Sequence, residues 1–254
     1  MKHIYAVANQ KGGVGKTTTA VNMMDILSSR GFSVLGMDLD PQCNLSSCCR
    51  ASDSGASALG VLTGEVETTA AIQHISKNKH IISGSKSLAG ADGFITDTGK
   101  EYRLREAIEP ILDQYDYIII DTPPALGILT INALTAADKV IITAQADLFS
   151  LQGISELGKT ISLVQKYCNR DLRVAGALLT RYNPRSSFNT DVRELASELA
   201  SGLNTVIFTT TIREGIDVKK SQLTHTPLRE YAPRAGVTQD YEAFVTELLK
   251  KEEA

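Results

Sequence analysis

A chain of 254 residues with 43% hydrophobic and 22% charged side chains fits an ordinary globular protein, either one large α/β domain or two small ones. A net charge of −3 argues against polyanion binding over the whole surface, though not through a local basic patch. No run approaches the ~18 apolar residues of a membrane span, and "MKHIYAVANQ" turns polar too soon for a secretory h-region, so the expected compartment is the cytoplasm. Cys43, Cys48, Cys49 and Cys168 form no C-x-x-C pair and read as reduced thiols.

In chain order, short β-branched runs alternate with segments of helical spacing. "HIYAVAN" (3–9) reads as a strand, and "TTTAVNMMDILSSRG" (17–31) as a helix with Ala20, Met23, Met24 and Leu27 on one face and a stop at Gly31. Further strands are expected at 33–40, 80–85, 115–124, 139–147, 173–182 and 205–212, with helices over 104–115 and 191–201. Residues 46–103, rich in Ser, Gly and Ala, are the least regular stretch. Alternation of strand and helix predicts an α/β fold with a mostly parallel, twisted sheet. Strands such as "YIIID" are apolar on both faces, which requires helices on both sides. No composition break marks a linker, so residues 1–254 are read as a single domain.

The stretch "VANQKGGVGKTTTA" (7–20) sits where the first strand meets the first helix, the setting of a P-loop. The usual G-x-x-x-x-G-K-[ST] spacing fails, because position 10 is Gln10. Gly12, Gly13 and Gly15 leave the backbone N–H groups free to turn toward an anion, and the helix N-terminus adds its positive dipole end. With Val14 and Thr18, these residues form the expected phosphate cradle. Lys16 should reach the β- and γ-phosphates, and Thr17 should place its hydroxyl on Mg²⁺. Asp38 and Asp40 close "VLGMDLD", and Asp121 closes "YIIID". Ligands of open α/β sheets lie at the carboxyl ends of strands, where a carboxylate can hold Mg²⁺ or its waters, or orient an attacking water. One such aspartate could be a cap or turn residue; three beside a P-loop point to the site.

"KGGVGKTT", "MDLDPQ" and "IIIDTPPALGILTINALTAAD" together resemble the ParA/MinD group of deviant Walker ATPases, most closely its ParA branch of chromosome and plasmid partition ATPases. The likeness runs from residue 3 to about residue 248. It implies ATP and Mg²⁺ as cofactors and an ATP-sandwich homodimer in which Lys11 reaches the partner's phosphates, as an arginine finger does. Its place five residues before Lys16, on the outer rim of the loop, agrees with that role. The resemblance also gives Asp40 the handling of water and places Asp38 and Asp121 near Mg²⁺. Lys220, Ser221 and Gln222 stand where the family often has Glu-Ala-Pro, in a segment that helps enclose adenine. Asn183 and Pro184 lie in the other segment that approaches the base.

The resemblance further implies non-specific DNA binding, a ParB-like partner that stimulates hydrolysis, and association with the nucleoid. Arg185 and Arg213 align best with DNA-contacting positions, and Lys219 and Lys220 join the second cluster; phosphate contacts of this kind weaken steeply with salt. No helix-turn-helix precedes the P-loop, so sequence-specific operator binding is not expected. A MinD-like, membrane-associated or other cargo-positioning ATPase is the alternative. Its amphipathic C-terminal helix would have to come from "DYEAFVTELLKKEEA", which has Phe244, Val245, Leu248 and Leu249 on one face but little net positive charge for anionic lipid. An iron–sulfur carrier of the same superfamily would need cluster cysteines, and Cys43, Cys48 and Cys49 do not align with them.

Overall fold

A computed structural model of the protein describes residues 2–52, 55–202 and 205–253. The first half runs β1 (His3–Ala8), α1 (Lys16–Ser29), β2 (Val34–Asp38), α2 (Asn44–Cys48), α3 (Ala58–Thr63), α4 (Thr68–Ala71), β3 (Ile72–Ser76), β4 (Lys79–Ile82), α5 (Ala91–Phe94) and α6 (Arg103–Ile108). The second half runs β5 (Tyr117–Asp121), α7 (Ile128–Ala136), β6 (Lys139–Gln145), α8 (Leu148–Tyr167), β7 (Arg173–Thr180), α9 (Ser187–Gly202), α10 (Ile216–Leu223), α11 (Leu228–Tyr231) and α12 (Gly236–Glu253). The seven strands lie in the order β3-β4-β2-β5-β1-β6-β7. Every neighbouring pair is parallel except the edge pair β3–β4.

Alternate residues of each central strand feed two separate cores, as the two-residue strand period requires. Ile4, Ala6, Leu35, Met37, Ile118 and Ile120 face α6, α7 and α8. Tyr5, Val7, Val34, Ile119 and Ile141 face α1 and α12. Helix α1 stops where the sequence indicates: Gly31 adopts φ +97°, and the Phe32 N–H donates to the Leu27 carbonyl, a Schellman closure. On the sheet side of α1, a Cβ on Gly36 would run into the Met24 side chain, so glycine at this point of β2 lets the helix approach.

Two expected elements differ, and one strand is added. The helix over 104–115 divides into α6 and a 3₁₀ turn at Glu109–Gln114, because Pro110 can neither donate an N–H nor fit against the carbonyl four residues back. Within 46–103 the chain forms an antiparallel edge strand, β3, that the sequence did not announce. Residues 205–212 make no strand, only isolated bridges from Ile207 to Ala177 and from Ile212 to Thr180. Between those bridges the N–H groups of Thr209 and Thr210 donate to the two carboxylate oxygens of Glu247 on α12, at 2.8 Å each. Burial works against that carboxylate's charge, but the two N–H bonds outweigh it and hold it below the usual range.

Candidate functional site

The loop between β1 and α1 is braced from two strands, β6 and β7. Asn9 is buried and donates from Nδ2 to the Thr143 carbonyl at 2.6 Å while its Oδ1 accepts the Lys11 N–H at 3.0 Å. Gln145 Nε2 donates to the Gly13 carbonyl at 2.8 Å, and Thr180 Oγ1 donates to the Val14 carbonyl at 2.9 Å. These bonds tie the loop down, and the start of α1, from Lys16 to Thr18, lines the cleft. Gly13 (φ +75°) and Gly15 (φ +88°) take left-handed conformations, and Gly15 occupies the N-cap position of α1. Lys16 is buried, and its ammonium donates to the Lys11 carbonyl at 3.1 Å. Burial pulls its pKa down, against the opposing pull of Asp121 and Asp40.

Asp121, at the end of β5, is completely buried, and neither carboxylate oxygen has a hydrogen-bond partner among the described residues. Burial first, then the Asp38 charge, holds its carboxyl well above the usual range; the nearby Thr17 hydroxyl opposes this without reaching hydrogen-bond geometry. An unpartnered buried carboxylate beside Lys16 and Thr17 is the donor a hydrated divalent cation would satisfy, so the residues present fit Mg²⁺. Asp38 is arranged differently. Its Oδ2 accepts the Ser46 hydroxyl at 2.6 Å and the Ser46 N–H at 2.8 Å, and its Oδ1 accepts the Asp40 N–H at 3.1 Å. Burial raises its pKa despite the Ser46 bonds. Asp38 therefore anchors the segment that follows β2. Within that segment Asp40 is 7% exposed, accepts the Gln42 N–H at 2.9 Å and lines the cleft.

Lys11 points elsewhere. Its ammonium forms an ion pair with Asp147, at 2.9 and 2.8 Å to the two oxygens, and lies 3.4 Å from Ser150 Oγ. Asp147 is also the N-cap of α8, accepting the Ser150 N–H. Burial disfavours its charge, but Lys11 and Ser150 outweigh it and hold the carboxyl below the ordinary range.

The cleft above the loop has a volume of about 480 Å³ and is lined by Gly12, Gly13, Gly15, Lys16, Thr17 and Thr18, with Asp40 on one wall and α10 on the other. Lys11 is not among its described lining residues. A family model described as an AAA domain matches residues 1–174. The sporulation initiation inhibitor protein Soj of Bacillus subtilis is 37% identical over 245 residues, covering 95% of this chain and 96% of Soj. The chromosome partitioning protein ParA of Myxococcus xanthus is 33% identical, covering 98% of this chain and 88% of that protein. The chain belongs to the ParA/MinD family of ATPases. Among solved structures, cobyrinic acid a,c-diamide synthase of Mycobacterium smegmatis with bound ADP and magnesium is 33% identical with a TM-score of 0.84, over 100% of this chain and 96% of that one. MinD of Pyrococcus horikoshii with Mg-ADP shares the fold, with a TM-score of 0.80 at 23% identity over 100% and 99% of the two chains.

The other residues singled out in this ParA/MinD ATPase fall around the cleft unevenly. Arg213 lines it, but its guanidinium is locked to Asp240 of α12, at 2.7 Å from Nε and 2.8 Å from Nη2. Lys219 also lines the cleft, while Lys220 lies exposed on α10. Arg185, Asn183 and Pro184 are exposed beyond β7, outside the cleft's described lining; Asn183 Oδ1 accepts the Arg185 N–H at 3.1 Å. Gln222 donates to Thr18 Oγ1 at 3.0 Å and ties α10 to α1. Cys48 lines the cleft, but its thiol is pushed up to about 11 by burial and by the carboxylates of Asp121 and Asp38, which keeps it protonated. Asn9, Gln145, Asp147 and Thr180 went unnoticed in the sequence. Each makes a contact across more than 130 positions of chain, beside the local or shorter bonds of Asn9 to Lys11, Asp147 to Ser150 and Thr180 to Ala144.

Proposed function

We propose that this ATPase is a DNA-partition switch. In this reading two copies close on ATP, the closed pair binds nucleoid DNA without regard to sequence, and a ParB-like partner stimulates hydrolysis and release. The observation that carries it is the placement of Lys11, on the loop rim and outside the cleft's described lining, paired with Asp147 at the neighbouring helix start. In this reading the Lys11 ammonium exchanges Asp147 for the phosphates of a second copy when the pair closes. The names of the relatives, Soj and ParA, support the same reading.

Each residue then has a task. The backbone from Gly12 to Thr18 and the N-terminal end of α1 hold the phosphates. Lys16 exchanges its bond to the Lys11 carbonyl for the β- and γ-phosphate oxygens. Thr17 and Asp121 would hold Mg²⁺, which when bound supplies charge neutralisation between those phosphates. Asp38, through Ser46, fixes the segment carrying Asp40, and Asp40 orients the attacking water. Arg185, Lys219 and Lys220 are the exposed cations for DNA phosphate. Arg213 contributes less, because Asp240 already matches its charge.

The membrane-associated alternative draws no support from α12. Val237, Tyr241, Phe244, Val245 and Leu248 are buried against the domain, and no described helix is long and apolar enough to cross a membrane. Gel-shift of random duplex DNA at rising salt tests the proposal. Binding should require ATP and fall steeply with salt. ATP-dependent pelleting with lipid vesicles and no shift of duplex DNA would overturn it.

A further inference from the structure

The cleft has two walls from distant parts of the chain: the Asp40–α2 segment, and α10 with the turn that leads to α11. Arg50, just beyond α2, joins them. Its Nε donates to the His225 carbonyl at 3.0 Å, and its Nη2 to the Thr224 carbonyl at 3.3 Å and to Thr226 Oγ1 at 3.2 Å. Ser47 Oγ and His225 Nδ1 add a fourth link at 3.1 Å. Thr224 is the C-cap of α10, so the guanidinium also meets the electronegative end of that helix.

Both sides of the junction are held in a costly conformation. Arg50 (φ +53°) and His225 (φ +49°) are left-handed without being glycine, and Cys43 (φ +53°) brackets the other end of α2. Strained residues facing each other persist where the surrounding contacts over-determine them. The α2 segment is thus hung at two points. Asp38 holds its inner end through Ser46, whose hydroxyl also accepts the Gly84 N–H at 2.9 Å. Arg50 holds its outer end to the opposite wall, and Gln222 ties that wall to Thr18 of α1.

We infer that Arg50 is a positioning residue that clasps the two walls of the cleft together and retains bound nucleotide. The inference rests on the reading of this cleft as the nucleotide site. Parting α2 from the 224–226 turn would widen the cleft between its two walls, so cutting the clasp should speed release. The acceptors are met from two nitrogens, Nε and Nη2, of one planar fork, so lysine with its single terminal nitrogen should not substitute for it.

The test is stopped-flow release of a fluorescent methylanthraniloyl-ADP from the full chain, with the ATPase KM and kcat measured alongside. Arg50→Ala should release the nucleotide about tenfold faster, the equivalent of one to two net hydrogen bonds, and raise KM in step while kcat stays within about twofold. Arg50→Lys should not restore retention. Thr226→Val, which removes one acceptor, should fall between, and decides the matter if Arg50→Ala fails to fold. His225→Ala keeps the backbone acceptor and should have the smallest effect. Release and KM unchanged in Arg50→Ala and Thr226→Val would overturn the clasp, since a purely structural contact would lower only the melting temperature. Failure of the unmodified protein to bind the probe would overturn the nucleotide reading, and the clasp with it.

Discussion

Asp147 serves two ends at once, and the two can be separated. Replacing it with alanine removes the N-cap of α8, worth about 1 kcal/mol, and the ion pair to Lys11. The paired side chains are 32% and 29% exposed, so solvent screening limits that pair to about 0.5 kcal/mol. Together the loss is ~1.5 kcal/mol, or a fall in melting temperature of about 3–6 °C for a chain of this size. Asp147→Asn keeps an oxygen for the Ser150 N–H and loses only the pair, so its fall should be about 1–2 °C. The carboxyl is lowered in the folded state, so its contribution is present above the ordinary value of 3.8 and is lost as pH falls through the lower folded value. The gap between Asp147→Asn and the unmodified protein should therefore close in strong acid. Scanning calorimetry across pH reads all of this. An Asp147→Asn variant as unstable as Asp147→Ala would refute the division between cap and pair.

Further outcomes are expected from the same geometry. Asp121 has a raised pKa, so the folded state holds more protons than the unfolded chain between pH 3.8 and the raised value; metal-free stability should fall as pH rises through that window. Mg²⁺ competes with that proton, so calorimetry in buffers of different ionisation enthalpy should detect proton release on Mg²⁺–nucleotide binding, and no release would contradict the assignment. Lys16→Ala should abolish measurable nucleotide binding by equilibrium fluorescence titration; retained affinity would remove Lys16 from the phosphate cradle. In DNA binding, Lys219→Ala and Lys220→Ala should each reduce the salt slope by about one. Arg213→Ala should change the slope less, because Asp240 already pairs with it; equal losses would contradict that reading.

Local pattern carried the sequence reading where the chain makes its own structure. The β1–loop–α1 unit is legible because strand, glycines and helix are contiguous and Gly31 closes the helix by a local bond. Asp38 and Asp121 are legible as strand ends because the runs before them are apolar on both faces. What stayed hidden depends on distant partners. "IQHIS" is a short, half-exposed edge strand whose pairing with β4 leaves no strong periodicity. "TVIFTTTI" has strand composition, but Glu247 claims the N–H groups a ladder would need. Asp38 reads as a residue near the metal, and the bonds from Ser46 to its carboxylate show only in the structure. Lys11 shows in the sequence as an extra charge, while its partner Asp147 lies 136 positions away.

The central claim is that the site of one chain is incomplete and that Lys11 serves the other copy. Light scattering after size exclusion tests it most directly, using Asp40→Ala to block hydrolysis. With ATP and Mg²⁺, Asp40→Ala should elute at the mass of two chains. Lys11→Ala in the same background should elute as one chain while still binding fluorescent ATP. A double variant that dimerises as readily as Asp40→Ala alone, or an Asp40→Ala protein that stays a monomer, would contradict the account.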